Sequence, residues 1–278
     1  MRPVTNLMPR TAAVLGCAAV LCTAACAETT EPATPTDPPA FEGAIGLNLG
    51  WRPEYSGSGT QALKATPGFF LRWGRFTLTN ASGFVTRRAD DVVRGLGLDL
   101  VNDQRLRLNL ALRYDAGRSE SSGDGLAGTG DIKPTVRLRA SATYRLEGPW
   151  RLGASWSVDA FGRGGGNSGD LSVGWEHAWS GHTTLGAGLS LGLAGDRYMQ
   201  TYYGISEAQS QRSGYPVYKP GNGLRDLSLS LSGRTRLGDR WILLGGAGVS
   251  RLLGPAADSP LTRRTTGYSV STGVAWRF

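Results

Sequence analysis

Two histidines, His177 and His182, are the natural starting points for acid–base or nucleophilic chemistry. His177 alternates with Trp175 and Trp179 on an apolar run, and His182 lies in a short turn at 180–182. An activated nucleophile needs an imidazole within hydrogen-bond reach and a third group to orient it. An imidazole on an apolar face and another in a turn are expected to be structural, so no catalytic residue is assigned. The cysteines are Cys17, Cys22 and Cys26, all near the start. No grouping of Cys, His and carboxylates has the spacing of a metal site, and no metal or cofactor is expected. The run 162–167 (GRGGGN) has the glycines of a phosphate loop but lacks the Lys-Ser/Thr pair and a following helix. It reads as a plain loop.

Arginine carries more information. Arg105, Arg107 and Arg113 alternate with Leu106, Leu108, Leu110, Leu112 and Tyr114. Arg137, Arg139 and Arg145 alternate with Val136, Leu138, Ala140, Ala142 and Tyr144. This is period two, the signature of a strand with one apolar and one polar face. The same pattern recurs at 42–51, 150–161, 171–179, 183–194, 224–235, 241–253 and 268–278. Weaker runs lie at 67–73, 76–86 and 92–100. About twelve strands result.

The connections sort by length. Short turns fall at 74–75, 101–104, 147–149, 180–182 and 237–240. Long links fall at about 52–66, 115–132, 162–169, 195–222 and 254–267. Alternating short and long connections are what an outer-membrane barrel shows, with short periplasmic turns and long extracellular loops. Composition agrees: Gly is 41 of 278 residues, charged residues are only 19%, and mean hydropathy is slightly negative. Beyond the start, no window has the roughly 18 apolar residues of a spanning helix. The fold expected is therefore all-β: a single transmembrane antiparallel barrel of about twelve strands over 41–278. Its partner is the outer-membrane lipid.

An arginine facing the bilayer midplane costs about 2–4 kcal/mol, so Arg107, Arg137 and Arg139 should face the lumen. Arg105, Arg113, Arg145 and Arg151 share their faces, and inward acids (Asp99, Asp159, Glu176, Asp226) are fewer. Two readings follow. Either the arginines pair with acids in a packed lumen, or they form a basic wall along a narrow, anion-preferring passage. The positive excess of 30 Lys+Arg over 22 Asp+Glu does not point to nucleic acid, because a barrel interior admits no duplex. The two histidines also lie away from the outer rim, where barrel proteases and lipases keep their catalytic groups. The aromatic residues fall at strand ends: Trp73, Phe76, Tyr144, Trp150, Trp179, Trp241, Trp276 and Phe278 on the periplasmic side, and Trp51, Tyr114 and Tyr268 on the outer side. These are the two interfacial girdles of such a barrel. Trp276 and Phe278 on the last strand form an expected signal for the barrel-assembly machinery.

Residues 1–27 read as a secretory signal peptide. Arg2 and Arg10 precede an apolar stretch to about Ala25, and Ala25-Cys26-Ala27 fits a cleavage site. The alternative is a lipidated Cys26 at a weak lipobox. Residues 28–40 (ETTEPATPTDPPA) read as a Pro/Thr-rich periplasmic tether. The 195–222 segment should fold, with Ser206 and Glu207 opening a short helix and Gly214 closing it. Tyr198, Met199, Tyr202, Tyr203, Tyr215 and Tyr218 would supply its apolar core, making it either a lid or a contact surface.

The run Asp196-Arg197-Tyr198-Met199-Gln200-Thr201-Tyr202-Tyr203-Gly204-Ile205 resembles the D-x-x-Y-M-x-x-Y-F-G-V signature of the MipA/OmpV family of outer-membrane proteins, with Tyr203 where Phe is usual. Ser213-Gly214-Tyr215-Pro216-Val217-Tyr218, Gly223-Leu224-Arg225-Asp226, Ser250-Arg251-Leu252-Leu253-Gly254 and Gly130-Asp131-Ile132 are similar to further family stretches, in order. So is Pro53-Glu54-Tyr55-Ser56-Gly57-Ser58 near the start. The resemblance implies a Gram-negative outer-membrane barrel without catalytic activity. In one branch of the family the member is a scaffold joining a murein lytic transglycosylase to a penicillin-binding synthase. Other members have been treated as porins or surface adhesins, and fold alone does not choose among these roles.

Overall fold

The computed structural model describes residues 41–80 and 95–278. The expected signal peptide at 1–27, the lipidation site at Cys26, the tether at 28–40 and the segment 81–94 lie outside the described residues.

Each alternating run forms a strand: β1 (Phe41–Pro53), β2 (Gln61–Trp73), β3 (Phe76–Thr79), β4 (Gly95–Asn102), β5 (Leu106–Asp115), β6 (Thr135–Arg145), β7 (Trp150–Asp159), β8 (Asn167–Ala178), β9 (Thr183–Ala194), β10 (Gly223–Leu237), β11 (Trp241–Leu252) and β12 (Thr266–Arg277). Neighbours pair antiparallel, and β1 pairs with β12 from Ala44↔Arg277 to Trp51↔Val270. The twelve strands thus close into a barrel. Closure matters in lipid, where no water satisfies an open strand edge.

The two faces of the wall separate by exposure. Leu47, Leu49, Leu112, Leu171, Leu189, Leu229 and Val270 are exposed along the outside, while Asp99, Arg107, Asn109 and Arg137 on the opposite face are buried. The expected rings sit at strand ends, and all but the half-buried Trp276 are exposed. The short turns are closed by their own residues: the Asp103 carboxylate accepts from the backbone N–H groups of Arg105 and Leu106 at 2.8 and 2.6 Å. Gly238 turns the β10–β11 hairpin at φ 70°, which a residue with a Cβ disfavours.

Two strands begin earlier than their sequence pattern indicates. β2 starts at Gln61, so the 52–66 link shrinks to 54–60. Pro67 and the small Ala65 blur its outward row, yet Leu63, Ala65 and Pro67 pair with Trp51, Leu49 and Leu47 of β1. β8 starts at Asn167, so the 162–169 link becomes 160–166. Here Gly169 supplies no apolar group of its own. The ring of Trp156 on β7 covers it, and a Cβ at Gly169 would come within 2.5 Å of Trp156 Cε3.

Candidate functional site

β4 to β8 carry a ladder of charge on their inner faces. Arg107 on β5 makes a two-pronged bond to Asp99 on β4 at 3.1 and 3.0 Å, and Asn109 donates to the same carboxylate at 2.9 Å. Both charged side chains are at most 10% exposed. Arg137 on β6 lies 3.5 Å from Asp115, and Arg113 on β5 is its cross-strand partner. Arg139 lies 3.5 Å from Asp170 on β8, and Arg151 lies 2.9 Å from Glu176. Arg105 stands at the turn before β5, exposed, 3.7 Å from Glu147. The arginines named from the sequence are thus mostly paired rather than lining an empty basic wall.

Sequence reasoning missed three members of this ladder. Asp170 was hidden by the early start of β8. Asp115 ends β5 and passes for loop. Arg225 was hidden by a β-bulge: the β9–β10 register shifts between Leu224 and Asp226, so Arg225 and Asp226 both turn toward the lumen, as bulges allow. Arg225 donates to Asp170 at 2.9 Å and to the adjacent Asp226. Asp170 therefore bridges Arg139 and Arg225.

The outer mouth is covered by the long loops. The segment 195–222 contains α1 (Asp196–Tyr203) and α2 (Glu207–Ser213). α2 has the expected form: Ser206 and Gln209 make a capping box, and Gly214 closes the helix at φ 76°. α1 is an additional helix. Its signal was the spacing of Tyr198, Met199, Tyr202 and Tyr203, which places them on one helical face. Met199 and Tyr203 are buried against Ala194, Leu252 and Ala256, the last in the short helix α3 (Gly254–Ala257). Gly204 donates its N–H to Gln200 O, and a Cβ there would strike the Gln200 side chain. A second cluster joins Tyr55, Leu126, Ile205 and Leu261 from four different loops.

The tyrosines tie this cap to the charged ladder. The Tyr198 ring lies 5.3 Å from the Arg137 guanidinium and 5.6 Å from that of Arg225. The Tyr202 hydroxyl donates to Asp115 at 2.9 Å, and Tyr203 Oη lies 3.0 Å from Ser56 Oγ. Burial pushes the Tyr203 phenol up to about 12, and burial with the nearby Asp115 raises that of Tyr202. Both remain neutral donors at neutral pH. In the glycine loop at 160–166, Gly165 O accepts from Arg137 at 3.0 Å, while the N–H groups of Phe161 and Gly165 donate to the Asp159 carboxylate at 3.1 and 2.9 Å, so a carboxylate of the chain itself occupies them.

His177 is exposed on the outer face and stacks on Trp175 at 5.6 Å. His182 sits exposed in its turn, where its carbonyl accepts from Arg236 N. Among the described residues, no three His, Cys, Asp or Glu side chains converge as metal ligands. At the β1–β12 seam, Phe278 exchanges backbone hydrogen bonds with Gly43 at 3.0 and 3.2 Å, and its ring covers Gly43. Trp276 and Phe41 flank that ring at 5.4 and 6.3 Å.

Comparison with known proteins fits this architecture. YiaT of Escherichia coli (strain K12), whose name describes an outer membrane protein, is 30% identical over 148 residues, 53% of this chain and 59% of that protein. The MltA-interacting protein of the same organism is 32% identical over 110 residues, 37% of this chain and 44% of that protein. The chain thus spans about half the length of the curated relatives it matches. An outer membrane channel from Pseudomonas putida F1 superposes with a TM-score of 0.44 at 12% identity, over 89% of this chain and 99% of that one. Residues 45–278 match the family described as MltA-interacting protein MipA. The chain, a closed twelve-stranded outer-membrane barrel, belongs to that family.

Proposed function

We propose that the barrel is a non-enzymatic outer-membrane anchor that holds murein-remodelling enzymes, a lytic transglycosylase and a penicillin-binding synthase, close to the membrane. One observation carries this reading: the outer mouth is capped by packed loops whose α1 is bonded into a charge-paired lumen, as suits an anchor more than a conduit. A relative bears the name MltA-interacting protein, which points to the transglycosylase. Bringing two enzymes to one anchor raises the effective concentration of each for the other. Residues 28–40 would serve as a periplasmic tether after cleavage at Ala27. Trp276 and Phe278 would be read by the assembly machinery.

The test pairs two measurements on the full chain. Crosslinking in cells followed by purification should recover a lytic transglycosylase and a penicillin-binding protein together. Planar-bilayer recording should show a closed barrel. Recovery of neither enzyme would remove the scaffold reading.

A second reading, an anion-preferring channel, has its own support. The inner faces of β9 to β12 carry Ser190, Ser228, Ser230, Ser232, Ser269 and Ser271 with interspersed glycines, leaving room beside the charged ladder. Open steps that lose anion preference on Arg113→Gln or Arg139→Gln substitution would favour it.

A further inference from the structure

The cap contains a pocket that neither the anchor nor the channel reading uses. It measures about 930 Å³ and opens between the 116–134 loop, the 160–166 loop and the two helices of the 195–222 segment. Four of its lining residues are cationic, Arg118, Lys133, Arg163 and Arg212, against one carboxylate, Asp131.

The three arginines are positioned by uncharged acceptors and are not neutralised. Arg163 Nη1 donates to Pro134 O at 3.1 Å, and Arg212 Nε donates to Gly128 O at 3.3 Å. Carbonyl acceptors fix a guanidinium but leave its charge in place. Arg118 gives one nitrogen to Tyr202 O at 2.9 Å, and its guanidinium lies 6.0 Å from the centre of the uncharged Tyr55 ring. Asp131 is already occupied, accepting from Ser119 Oγ at 3.0 Å and Glu120 N–H at 2.9 Å. Those bonds hold its carboxyl below the usual carboxylate range. Gln200 and Thr201 from α1 add neutral polar groups to the same lining.

We propose that this pocket is a binding site for a ligand bearing two or more phosphate groups. Guanidinium forks and an ammonium around one cavity match the charge and geometry of phosphate oxygens. The volume suits a molecule of sugar-bisphosphate size. The phosphates come either from a soluble organic phosphate or from the headgroup of an outer-leaflet glycolipid, since the chemistry is shared. The proposal does not rest on the anchor reading, because the pocket lies at the other end of the barrel from the periplasmic turns.

The experiment is calorimetric titration of the refolded full chain in detergent with sodium pyrophosphate. Saturable binding is expected at about 10–100 μM, weakening with added salt. The Lys133→Gln/Arg163→Gln double variant should lose at least about tenfold in affinity, because it removes two of the four charges. Neither residue anchors α1, so heat-dependent gel migration should report an unchanged barrel. Arg240→Gln at the periplasmic rim should bind as the parent does. Reconstitution into lipopolysaccharide vesicles separates the sources. Displacement of pyrophosphate there, but not in dephosphorylated vesicles, identifies the glycolipid, and undiminished binding in both identifies a soluble ligand. Absence of saturable heat up to about 10 mM pyrophosphate, or equal affinity in the double variant, overturns the proposal.

Discussion

The inner wall of the barrel has two unlike halves. From β4 to β8 it carries arginines and carboxylates joined in a ladder: Asp99 to Arg107, Asp115 to Arg137, Asp170 to Arg139, Glu176 to Arg151. Along the middle of β9 to β12 the inward positions hold serine and glycine, with Ser228 Oγ 3.0 Å from Ser250 Oγ and Ser230 Oγ 3.3 Å from Gly188 O. Arg225 and Asp226 lie toward the outer end, and a buried apolar cluster of Ile242 and Ala275 with Ala44 and Phe70 lies toward the periplasmic end. Both halves obey the same alternation and present the same apolar exterior to lipid. The difference lies in what fills the interior. Charged side chains pair between adjacent strands and, through Asp170 on β8, reach Arg139 on β6 and Arg225 on β10, whereas the small ones leave space and bond only to adjacent strands. The polar attachments of the cap run to the charged half, Tyr198 to Arg137 and Tyr202 to Asp115, with Arg225 of β10 beside them, while its apolar contacts rest on Ala194 and Leu252 at the ends of β9 and β11. The charged half is therefore expected to fix stability and the position of the cap, and the small-residue half to tolerate change.

The largest expected effect comes from breaking the most buried rung. Asp99→Ala removes the carboxylate shared by Arg107 and Asn109, which should cost about 3–5 kcal/mol, the range for a buried pair that loses one partner. Urea unfolding in lipid vesicles measures it. Asp99→Asn should recover part of the loss by keeping an acceptor for Arg107. If Asp99→Ala proved as mild as a surface change, the ladder would be incidental to stability.

Alkali should act next. Tyr203 is buried and its phenol stands at about 12, against an ordinary value of 10. A phenol raised in the folded state gives stability that is fully present below pH 10 and lost as pH rises toward 12 and beyond. A shift of about two units amounts to roughly 3 kcal/mol. Absorbance at 295 nm should show Tyr203→Phe removing one late-titrating phenol. Thermal unfolding of the parent should weaken between pH 10 and 12. The Tyr202 phenol is raised as well, so Tyr202→Phe, which also frees Asp115, tests the attachment of α1 to the charged half.

A smaller effect belongs to the cap itself. Ser206→Ala deletes the side-chain acceptor for Gln209 N–H and half of the capping box, worth about 1 kcal/mol. Faster hydrogen exchange confined to α2, with the barrel unchanged, is the expected result. Slower or unchanged exchange would mean that packing, not the cap, holds the helix.

Most of the barrel was legible because lipid imposes one rule on every strand. Leu106 to Tyr114 and Val136 to Tyr144 alternate without interruption, so their strands, faces and arginines could be read directly. Legibility failed where a neighbour supplied what the strand lacked. Gly169 shows no apolar signal because Trp156 on the next strand provides its cover, and this hid Asp170. Arg225 could not be placed because a bulge is a property of register between two strands, not of one strand's pattern. α2 was visible through local capping chemistry. α1 was visible only as a cluster of tyrosines, because its environment is built from segments distant in sequence, such as the loops bearing Ser56 and Ser259 and the β5 end at Asp115. Pairing was the least legible feature of all. The sequence displays an excess of inward arginines, and the acids that balance them arrive from strand ends and bulges.

The smallest expected effect is the most discriminating for the comparison of halves. Ser230→Ala removes an inward hydroxyl whose bond to Gly188 O is 3.3 Å long and exposed to the lumen. If water fills the space beside the Ser/Gly wall, that carbonyl gains a solvent partner and stability should change by less than about 0.5 kcal/mol, as at a surface site. If this half were instead dry and close-packed, the lost side-chain hydrogen bond would cost about 0.5–1.5 kcal/mol, although Gly188 O keeps its bond in the strand ladder. The same urea titration used for Asp99→Ala distinguishes these outcomes. A small change at Ser230 beside a large one at Asp99 means that one half of the lumen is interior and the other is surface turned inward. Comparable losses at both would mean a lumen packed throughout, with no open space along β9 to β12 to support a channel.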